Sequence, residues 1–182
     1  MAAADFQAFC TARGWRSAII GGVAVQRWGE PRQTRDVDVA LLTGSGTEIS
    51  YIEPLLARYR PRVDDATRFA LKNRVVLVET HDGLPLDISL AAMPYEHRLL
   101  DRASAFEFEP GTPVTTCSAE DLVVLKVIAG RVQDWLDIEG IIVRQRANLD
   151  RALVKAEAEE LLELKEDVES LPTLEALFRK HR

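Results

Sequence analysis

The sequence has few histidines and cysteines, and this scarcity excludes several kinds of site. Three histidines and two cysteines occur among 182 residues, at scattered positions that match no zinc, redox or triad spacing. We therefore expect Cys10 and Cys117 to be reduced thiols with no catalytic role. Any metal bound by this chain should have oxygen ligands.

Long hydrophobic runs are also lacking. No apolar run of about 18 residues is present, and the opening segment "MAAADFQAFCTARGW" has no signal-peptide core. We therefore expect a cytoplasmic protein that does not interact with membranes. The chain is 47% hydrophobic and 29% charged, which is typical of a folded globular protein rather than a disordered one.

Positive charge is scarce overall but concentrated at one end. The net charge of −6 argues against indiscriminate binding to nucleic acid. Residues 1–74 nevertheless contain 11 Lys and Arg against 8 Asp and Glu, whereas the remainder contains 12 against 21. The basic half is compatible with a phosphate-bearing substrate, although a solvated arginine-rich surface explains each residue equally well. The arginines near the acidic motif described below are Arg13, Arg16, Arg27, Arg32 and Arg35.

Hydrophobic periodicity predicts an α+β fold with strands first and helices later. A short helix over residues 2–13 is followed by the strand "SAII", the helix "VAVQRW" and the strand "DVDVALL". The strands "RVVLVET" and "LPLDISLAA" flank "HDG", which indicates a hairpin. Helices should dominate afterwards, with Ser118 as an N-cap and a break around residues 170–172. We place the boundary near residue 113, between a 1–113 core and a 114–182 helical region that packs with it as one compact unit.

Two aspartates interrupt the otherwise apolar strand. Side chains alternate along a strand, so Asp36 and Asp38 should point to the same face, roughly 7 Å apart. Asp87 is a third lone carboxylate in a later apolar strand that could lie alongside. Three such oxygen ligands suit Mg²⁺ or Mn²⁺. The alternative is that Asp36 occupies a turn, Asp38 pairs with an arginine and Asp87 is merely exposed.

A glycine pair precedes the acidic strand. In "AIIGGVAVQRW" a strand runs through Gly21 and Gly22 directly into a helix. Backbone N–H groups at such a helix start, together with the positive end of the helix dipole, can face a phosphate. Glycine often serves only close packing, so the spacing of 13 residues between Gly22 and Asp36 is the more specific signal.

These two features together resemble a known superfamily. The string "GGVAVQRWGEPRQTRDVDVAL", followed by the single aspartate in "LDI", is similar to the nucleotidyltransferases that include DNA polymerase beta. Within them the chain looks most like small bacterial members such as AbiEii-type toxins. The stretch "EDLVVLKVIAGRVQDWLDI" resembles the helical motif of that branch. The resemblance implies the nucleotidyltransferase fold: a small mixed sheet, helices packed on it and a C-terminal helical bundle.

The resemblance also implies roles for individual residues. The expected activity is transfer of a nucleoside monophosphate from an NTP to an acceptor hydroxyl, with Mg²⁺ or Mn²⁺. The metal ligands and catalytic residues would be Asp36, Asp38 and Asp87. Nucleotide contacts would come from Gly21, Gly22, Thr34, Arg35 and Lys126. Asp137 would orient Lys126 or bind the acceptor, and we expect Lys126, Gly130 and Asp137 to share one face of a single helix.

Several alternatives stay open at this stage. The acceptor can be an RNA 3′ end, a hydroxyl of a protein, or a small molecule such as an aminoglycoside, and the NTP can be ATP or another. The chain can instead be a non-catalytic protein that keeps this fold and binds a toxin or antitoxin partner. One departure from some toxin relatives is that Val23, Ala24 and Val25 follow the glycine pair where those proteins carry a serine or threonine.

Overall fold

The computed structural model describes residues 2–182, which fold into two compact units. The first unit consists of the chain up to Val23 together with Gln33–Cys117. The second consists of Ala24–Arg32 and Ser118–Arg182. Helix α2, Gly21–Trp28, therefore begins in the first unit and ends in the second.

The first unit is organised around a mixed seven-stranded sheet. The strand order is β3-β4-β5-β2-β1-β7-β6. The central strands β2 and β5 are parallel, and so are β1 and β7, while every other neighbouring pair is antiparallel. The strands are β1 Ser17–Ile20, β2 Val37–Leu42, β3 Arg60–Pro61, β4 Val75–Glu79, β5 Pro85–Ala91, β6 Ser104–Glu109 and β7 Thr112–Thr116.

One face of this sheet forms the hydrophobic core of the first unit. Alternation along β2 buries Val37, Val39 and Leu41, and the same alternation buries Leu86 and Ile88 on β5. The opposite face carries Asp38 and Asp87 and is only half-buried. The helices of this unit, besides the first residues of α2, are α1 Ala2–Thr11, α3 Ile49–Arg58, α4 Ala66–Asn73 and α5 Pro94–Arg102.

The second unit is helical. Helix α6 contacts α7, α8 and α9, and it is apolar on most sides, with Leu122, Val123, Val124 and Val127 all buried. None of the helices formed by residues 2–182 combines the length and apolar character needed to span a bilayer. The helices are α6 Ala119–Ala129, α7 Val132–Gln145, α8 Arg151–Lys165 and α9 Ser170–Lys180, with a 3₁₀ turn at Arg146–Asn148.

The predicted fold class is confirmed, and so are the strands that carry Asp38 and Asp87, whereas Asp36 was wrongly placed in the strand and lies one residue before it. The hairpin across "HDG" joins β4 to β5 as expected. The expectation that helices dominate after β5 was wrong for residues 104–116, which form the antiparallel hairpin β6–β7. A signal was present in the sequence, since Phe106 and Phe108 alternate with Glu107 and Glu109, but the alternation covers only four residues of a mostly exposed strand.

The helical region differs from its prediction in two places. Ser118 is the N-cap of α6 as predicted, and its hydroxyl accepts a hydrogen bond from the N–H of Asp121. The helix then ends at Ala129, because Gly130 adopts φ +66°, and α7 begins at Val132. The predicted break around residues 170–172 was wrong, since α8 ends at Lys165 and α9 already begins at Ser170.

The predicted boundary near residue 113 falls inside β7. This strand pairs with β1 through Ile19 and Thr116 and therefore belongs to the sheet. The compact units change over between Cys117 and Ser118, and the segment Ala24–Arg32 joins the second unit although it lies early in sequence. The further expectation, that both regions pack as one body, stays a prediction.

Both cysteines are buried free thiols.

We expect the substitution Ser118→Ala to destabilise the protein by about 1 kcal/mol, because the first turn of α6 loses its side-chain cap. The measurement is the free energy of unfolding in urea. Ser45→Ala, in an exposed loop, is the matched control and should leave that free energy unchanged. Equal values for the two variants would show that the cap contributes nothing.

Candidate functional site

A row of side chains crosses the half-buried face of the sheet in the first unit. Asp38 on β2 lies directly opposite Asp87 on β5, and on its other side opposite Ile20 on β1. Asp87 in turn lies opposite Leu77 on β4. Residues in register share a face, and neighbouring strands are about 4.8 Å apart. The register therefore confirms that the second and third predicted acids stand side by side.

Asp36 lies one residue before β2, at a bend rather than in the strand. The hydroxyl of Thr34 donates to Oδ1 of Asp36 over 2.7 Å. Asp36 is also near enough to Asp87 for its negative charge to raise the pKa of that carboxyl. All three predicted acids thus belong to one half-buried patch, and Thr34 restrains the first of them.

The glycine pair at the start of α2 lies against the same patch. Gly21 adopts φ +61°, and a Cβ atom on it would lie 1.8 Å from Oδ2 of Asp38. A Cβ atom on Gly22 would lie 2.5 Å from Oγ1 of Thr34. Both positions therefore require glycine, because any side chain would displace a predicted site residue. The close approach also brings the N-terminus of α2 beside the Asp38 carboxylate, where the helix dipole favours negative charge.

Arg62 contributes positive charge to this face. Its guanidinium forms an ion pair with the Asp87 carboxylate, although 33% of the Asp87 side chain is exposed. Burial raises the pKa of Asp87 above its ordinary value, Arg62 opposes that shift, and the Asp36 carboxylate adds to it. The patch thus holds three carboxylates and one arginine in contact with the third of them.

The donor atoms of this patch suit a hard divalent cation. Carboxylate and hydroxyl oxygens are the ligands that Mg²⁺ and Mn²⁺ prefer. Across residues 2–182, however, no group of three or more His, Cys, Asp or Glu side chains is already arranged to hold a metal ion. Asp87 is engaged by Arg62, so a metal that uses all three acids requires this guanidinium to move.

Four of the five arginines near the motif are engaged elsewhere in the chain. Arg13 lies over the Phe9 ring, 3.7 Å from its centroid, and Arg27 lies 3.9 Å from the Trp28 ring centroid. Arg16 pairs with Asp101 and Arg32 with Asp137. Arg35, directly before Asp36, is exposed.

The second unit contains a separate buried cluster of charges centred on Lys126. The ammonium group of Lys126 contacts Oδ1 of Asp134 at 3.1 Å and Oδ2 of Asp137 at 2.5 Å. The guanidinium of Arg32 donates to both carboxylate oxygens of Asp137, at 2.9 and 3.0 Å. Only 5% of Lys126 is exposed.

The two carboxylates of the cluster stay ionised because they are well partnered. Burial alone would raise the pKa of Asp134, but hydrogen bonds from Arg131 and Lys126 hold that pKa below its ordinary value. Burial acts on Asp137 in the same way, and Arg32 and Lys126 likewise hold its pKa low. The cluster is consequently a satisfied ion-pair network with a structural part in the second unit.

The contact between Lys126 and Asp137 was expected for the wrong reason. We predicted one helix carrying Lys126, Gly130 and Asp137 on a single face, but the two charged residues lie on α6 and α7. They meet because the chain turns at Gly130. Asp137 does hold Lys126 in place, whereas contact of Lys126 with a nucleotide stays a prediction.

Sequence reasoning missed Arg62 and undervalued Asp134. Arg62 follows β3, which is only two residues long and fully exposed, so no periodic pattern marks it. On a single continuous helix, Asp134 would not lie on the same face as Lys126. The available signal was Gly130, since a glycine between two helical patterns commonly ends the first helix.

No protein-family model matches this chain, and no curated protein sequence matches it. Solved structures do resemble it. An antigenic nucleotidyltransferase-like protein from Paracoccidioides brasiliensis aligns with a TM-score of 0.52 and 16% identity, over 96% of this chain and 91% of that protein.

The antibiotic-resistance factor ANT(2″)-Ia is similar in two structures. Its solution structure aligns with a TM-score of 0.52 and 19% identity, over 90% of each chain. Its crystal structure in complex with adenylyl-2″-tobramycin aligns with a TM-score of 0.54 and 17% identity, over 85% of this chain and 94% of that one. At identities this low, the likeness shows the fold alone: this chain has the nucleotidyltransferase fold.

Gly21→Ala should destabilise the protein far more than Gly14→Ala. Both glycines have similar positive φ values, +61° and +67°, but only Gly21 abuts another group, the Asp38 carboxylate. We expect Gly14→Ala to cost about 1 kcal/mol of backbone strain, and Gly21→Ala roughly 1–3 kcal/mol more from overpacking. Urea unfolding measures both variants. Equal losses would mean that Asp38 does not lie against Gly21.

Lys126→Met should destabilise the protein by about 3–5 kcal/mol, because two buried carboxylates lose their shared cation. Lys155→Met is the matched control. Lys155 pairs with Glu175 on an exposed surface, so its loss should change the free energy of unfolding little.

The same variant should change the dependence of stability on pH. The pKa values of Asp134 and Asp137 lie below the ordinary 3.8, so their stabilising contribution is present above that value. It is lost as pH falls through the lowered pKa values. In Lys126→Met we expect this loss to begin at higher pH, and an unchanged acid-unfolding profile would contradict the role of Lys126.

Proposed function

We propose that this chain transfers a nucleoside monophosphate from an NTP to an acceptor hydroxyl. The observation that carries the proposal is the register of β2 on β5. It sets Asp38 beside Asp87, with Asp36 two residues earlier and the Gly21 turn in contact with Asp38. The nucleotidyltransferase fold, shared with solved structures that include ANT(2″)-Ia, supports this reading.

The acidic patch is the proposed metal site. Asp36, Asp38 and Asp87 would hold Mg²⁺ or Mn²⁺, and Thr34 keeps the Asp36 carboxylate oriented. A bound divalent ion supplies charge neutralisation for the triphosphate and for the negative charge that builds up during transfer. Asp87, whose pKa is raised by burial, is the carboxylate suited to take the proton of the acceptor hydroxyl. The hydroxyl oxygen forms a bond to the α-phosphorus, the bond from that phosphorus to the oxygen bridging to the β-phosphate breaks, and pyrophosphate leaves.

The start of α2 is the proposed phosphate site. Helix α2 opens at Gly21, and the first N–H groups of a helix have no partners within it. Glycine at both positions lets a phosphate approach the backbone closely, which a side chain would prevent. Arg35 is exposed next to Asp36 and free of the stacking that holds Arg13 and Arg27, so it suits a contact with phosphate oxygens. Lys126 is buried between two carboxylates and is therefore less accessible to a nucleotide than Thr34 or Arg35.

A small-molecule hydroxyl is the first acceptor to test. ANT(2″)-Ia has been crystallised with adenylyl-2″-tobramycin, a nucleotidylated aminoglycoside. The net charge of −6 favours a cationic acceptor such as an aminoglycoside over a large RNA. ATP is accordingly the first donor to try. An RNA 3′ end, a protein hydroxyl, and the AbiEii-type toxin–antitoxin setting suggested by sequence are the further possibilities.

The test is transfer of label from each α-³²P-labelled NTP, with Mg²⁺ or Mn²⁺, to a panel of aminoglycosides, to total RNA and to cell protein. We expect label on one acceptor class only. Asp38→Asn should lower the rate by roughly 10²–10³-fold, because charge stabilisation at the transferring phosphate is lost. Asp64→Asn, an exposed aspartate outside the patch, is the matched control and should retain full activity.

The result that overturns the proposal is equally specific. Label transfer that survives Asp36→Asn, Asp38→Asn and Asp87→Asn would place the chemistry elsewhere. Absence of both transfer and metal-dependent NTP binding would favour a protein that keeps the fold and acts by binding a partner.

A further inference from the structure

Arg62 occupies a distinctive position in the acidic row. It directly follows β3, and its N–H donates to the carbonyl oxygen of Leu77 over 3.0 Å, which continues the β3–β4 ladder by one residue. Leu77 is in register with Asp87. Arg62, Leu77 and Asp87 therefore lie in one line across the sheet, and the arginine side chain reaches over Leu77 to the Asp87 carboxylate.

The pair is half-exposed rather than buried. The side chains of Arg62 and Asp87 are 27% and 33% exposed. An ion pair at this depth is weaker than a buried one and is readily exchanged for another cation. In the cluster of the second unit, by contrast, the side chains of Lys126, Asp134 and Asp137 are only 2–6% exposed.

The charges of the row explain why an arginine is needed there. Asp38 and Asp87 are directly opposed on adjacent strands, and like charges so placed destabilise a sheet. Asp36 adds a third negative charge close enough to act on Asp87. A cation at Asp87 relieves this repulsion, and Arg62 supplies one from within the chain.

We infer that Arg62 is an internal counter-ion that competes with the divalent cation for Asp87. The inference rests on the proposed function, because it concerns the metal that the acidic patch would bind. In the metal-free protein Arg62 neutralises Asp87; when the metal binds, the guanidinium is released from the carboxylate. Arg62 is thus a positioning residue that sets how tightly the patch holds its metal and keeps Asp87 from standing as an unpaired charge.

The experiment measures Mn²⁺ binding to the full chain without nucleotide, from the electron paramagnetic resonance signal of free Mn²⁺. Arg62→Gln should tighten Mn²⁺ binding by about threefold to tenfold, since the competing cation is gone. Arg62→Lys keeps the charge and should stay close to the wild-type affinity. Circular dichroism confirms that each variant is folded.

Arg60→Gln is the matched control. Arg60, two residues before Arg62, pairs with Glu79 on the neighbouring strand β4, so this change removes the same charge without touching Asp87. If Arg60→Gln tightens Mn²⁺ binding as much as Arg62→Gln, the effect is one of net charge and the inference fails. An unchanged or weaker affinity in Arg62→Gln also overturns it.

A second comparison isolates the contact itself. In the Asp87→Asn variant Arg62 has no carboxylate at position 87 to pair with. Adding Arg62→Gln to that variant should therefore leave the Mn²⁺ affinity unaltered. The same tightening in that variant would contradict competition at Asp87.

The outcomes also separate this inference from the proposed function. Wild-type binding that Asp38→Asn abolishes, with no effect of Arg62→Gln, would remove the inference and leave the metal site standing. No Mn²⁺ binding by any variant would remove the inference, and the label-transfer experiment would then decide the proposed function separately.

Discussion

The parallel pairing of β2 with β5 is the constraint on which the acidic site depends. It brings Asp38 and Asp87, which are 49 positions apart in sequence, to adjacent places on one face of the sheet. The same pairing buries the intervening valines, leucines and isoleucine on the other face, and the hydrophobic core stabilises the register. A slip of one residue would turn the carboxylates into the core. The burial of the apolar side thus keeps two repelling charges in contact.

The two units differ in how they compensate the free-energy cost of burying carboxylates. In the second unit Asp134 and Asp137 have Lys126 and two arginines as permanent partners, and their pKa values are lowered. In the first unit burial raises the pKa of Asp87, whose ion pair with Arg62 is half-exposed. A fully satisfied network rigidifies its surroundings. The raised pKa and the exposed ion pair of Asp87 are instead the properties that the proposed metal site would use.

The features that could be predicted from the sequence are those that depend on local sequence patterns. Alternation located β2 and β5, and the Asp-Gly pair located the hairpin. The fold was expected from the resemblance of the glycine turn and the acidic strand to the nucleotidyltransferases. The contact of Gly21 with Asp38 was beyond reach, because it depends on the antiparallel register that sets Ile20 opposite Asp38. Arg62 was missed because a two-residue edge strand has no periodic pattern. The Lys126 network was not predicted as a whole because its members lie on three separate segments.

The discontinuity of the second unit has a practical consequence for anyone who dissects the chain. A fragment that begins at Ser118 retains Lys126 and Asp137 but loses Arg32, since Ala24–Arg32 belongs to the second unit and precedes most of the sheet in sequence. Asp137 would then lack the bidentate hydrogen bonds from Arg32, and Gly140 would lose the backbone of Glu30 packed beside it. No single cut separates the units intact. A fusion that joins residues 24–32 through a linker to residues 118–182 is the design that keeps the second unit complete.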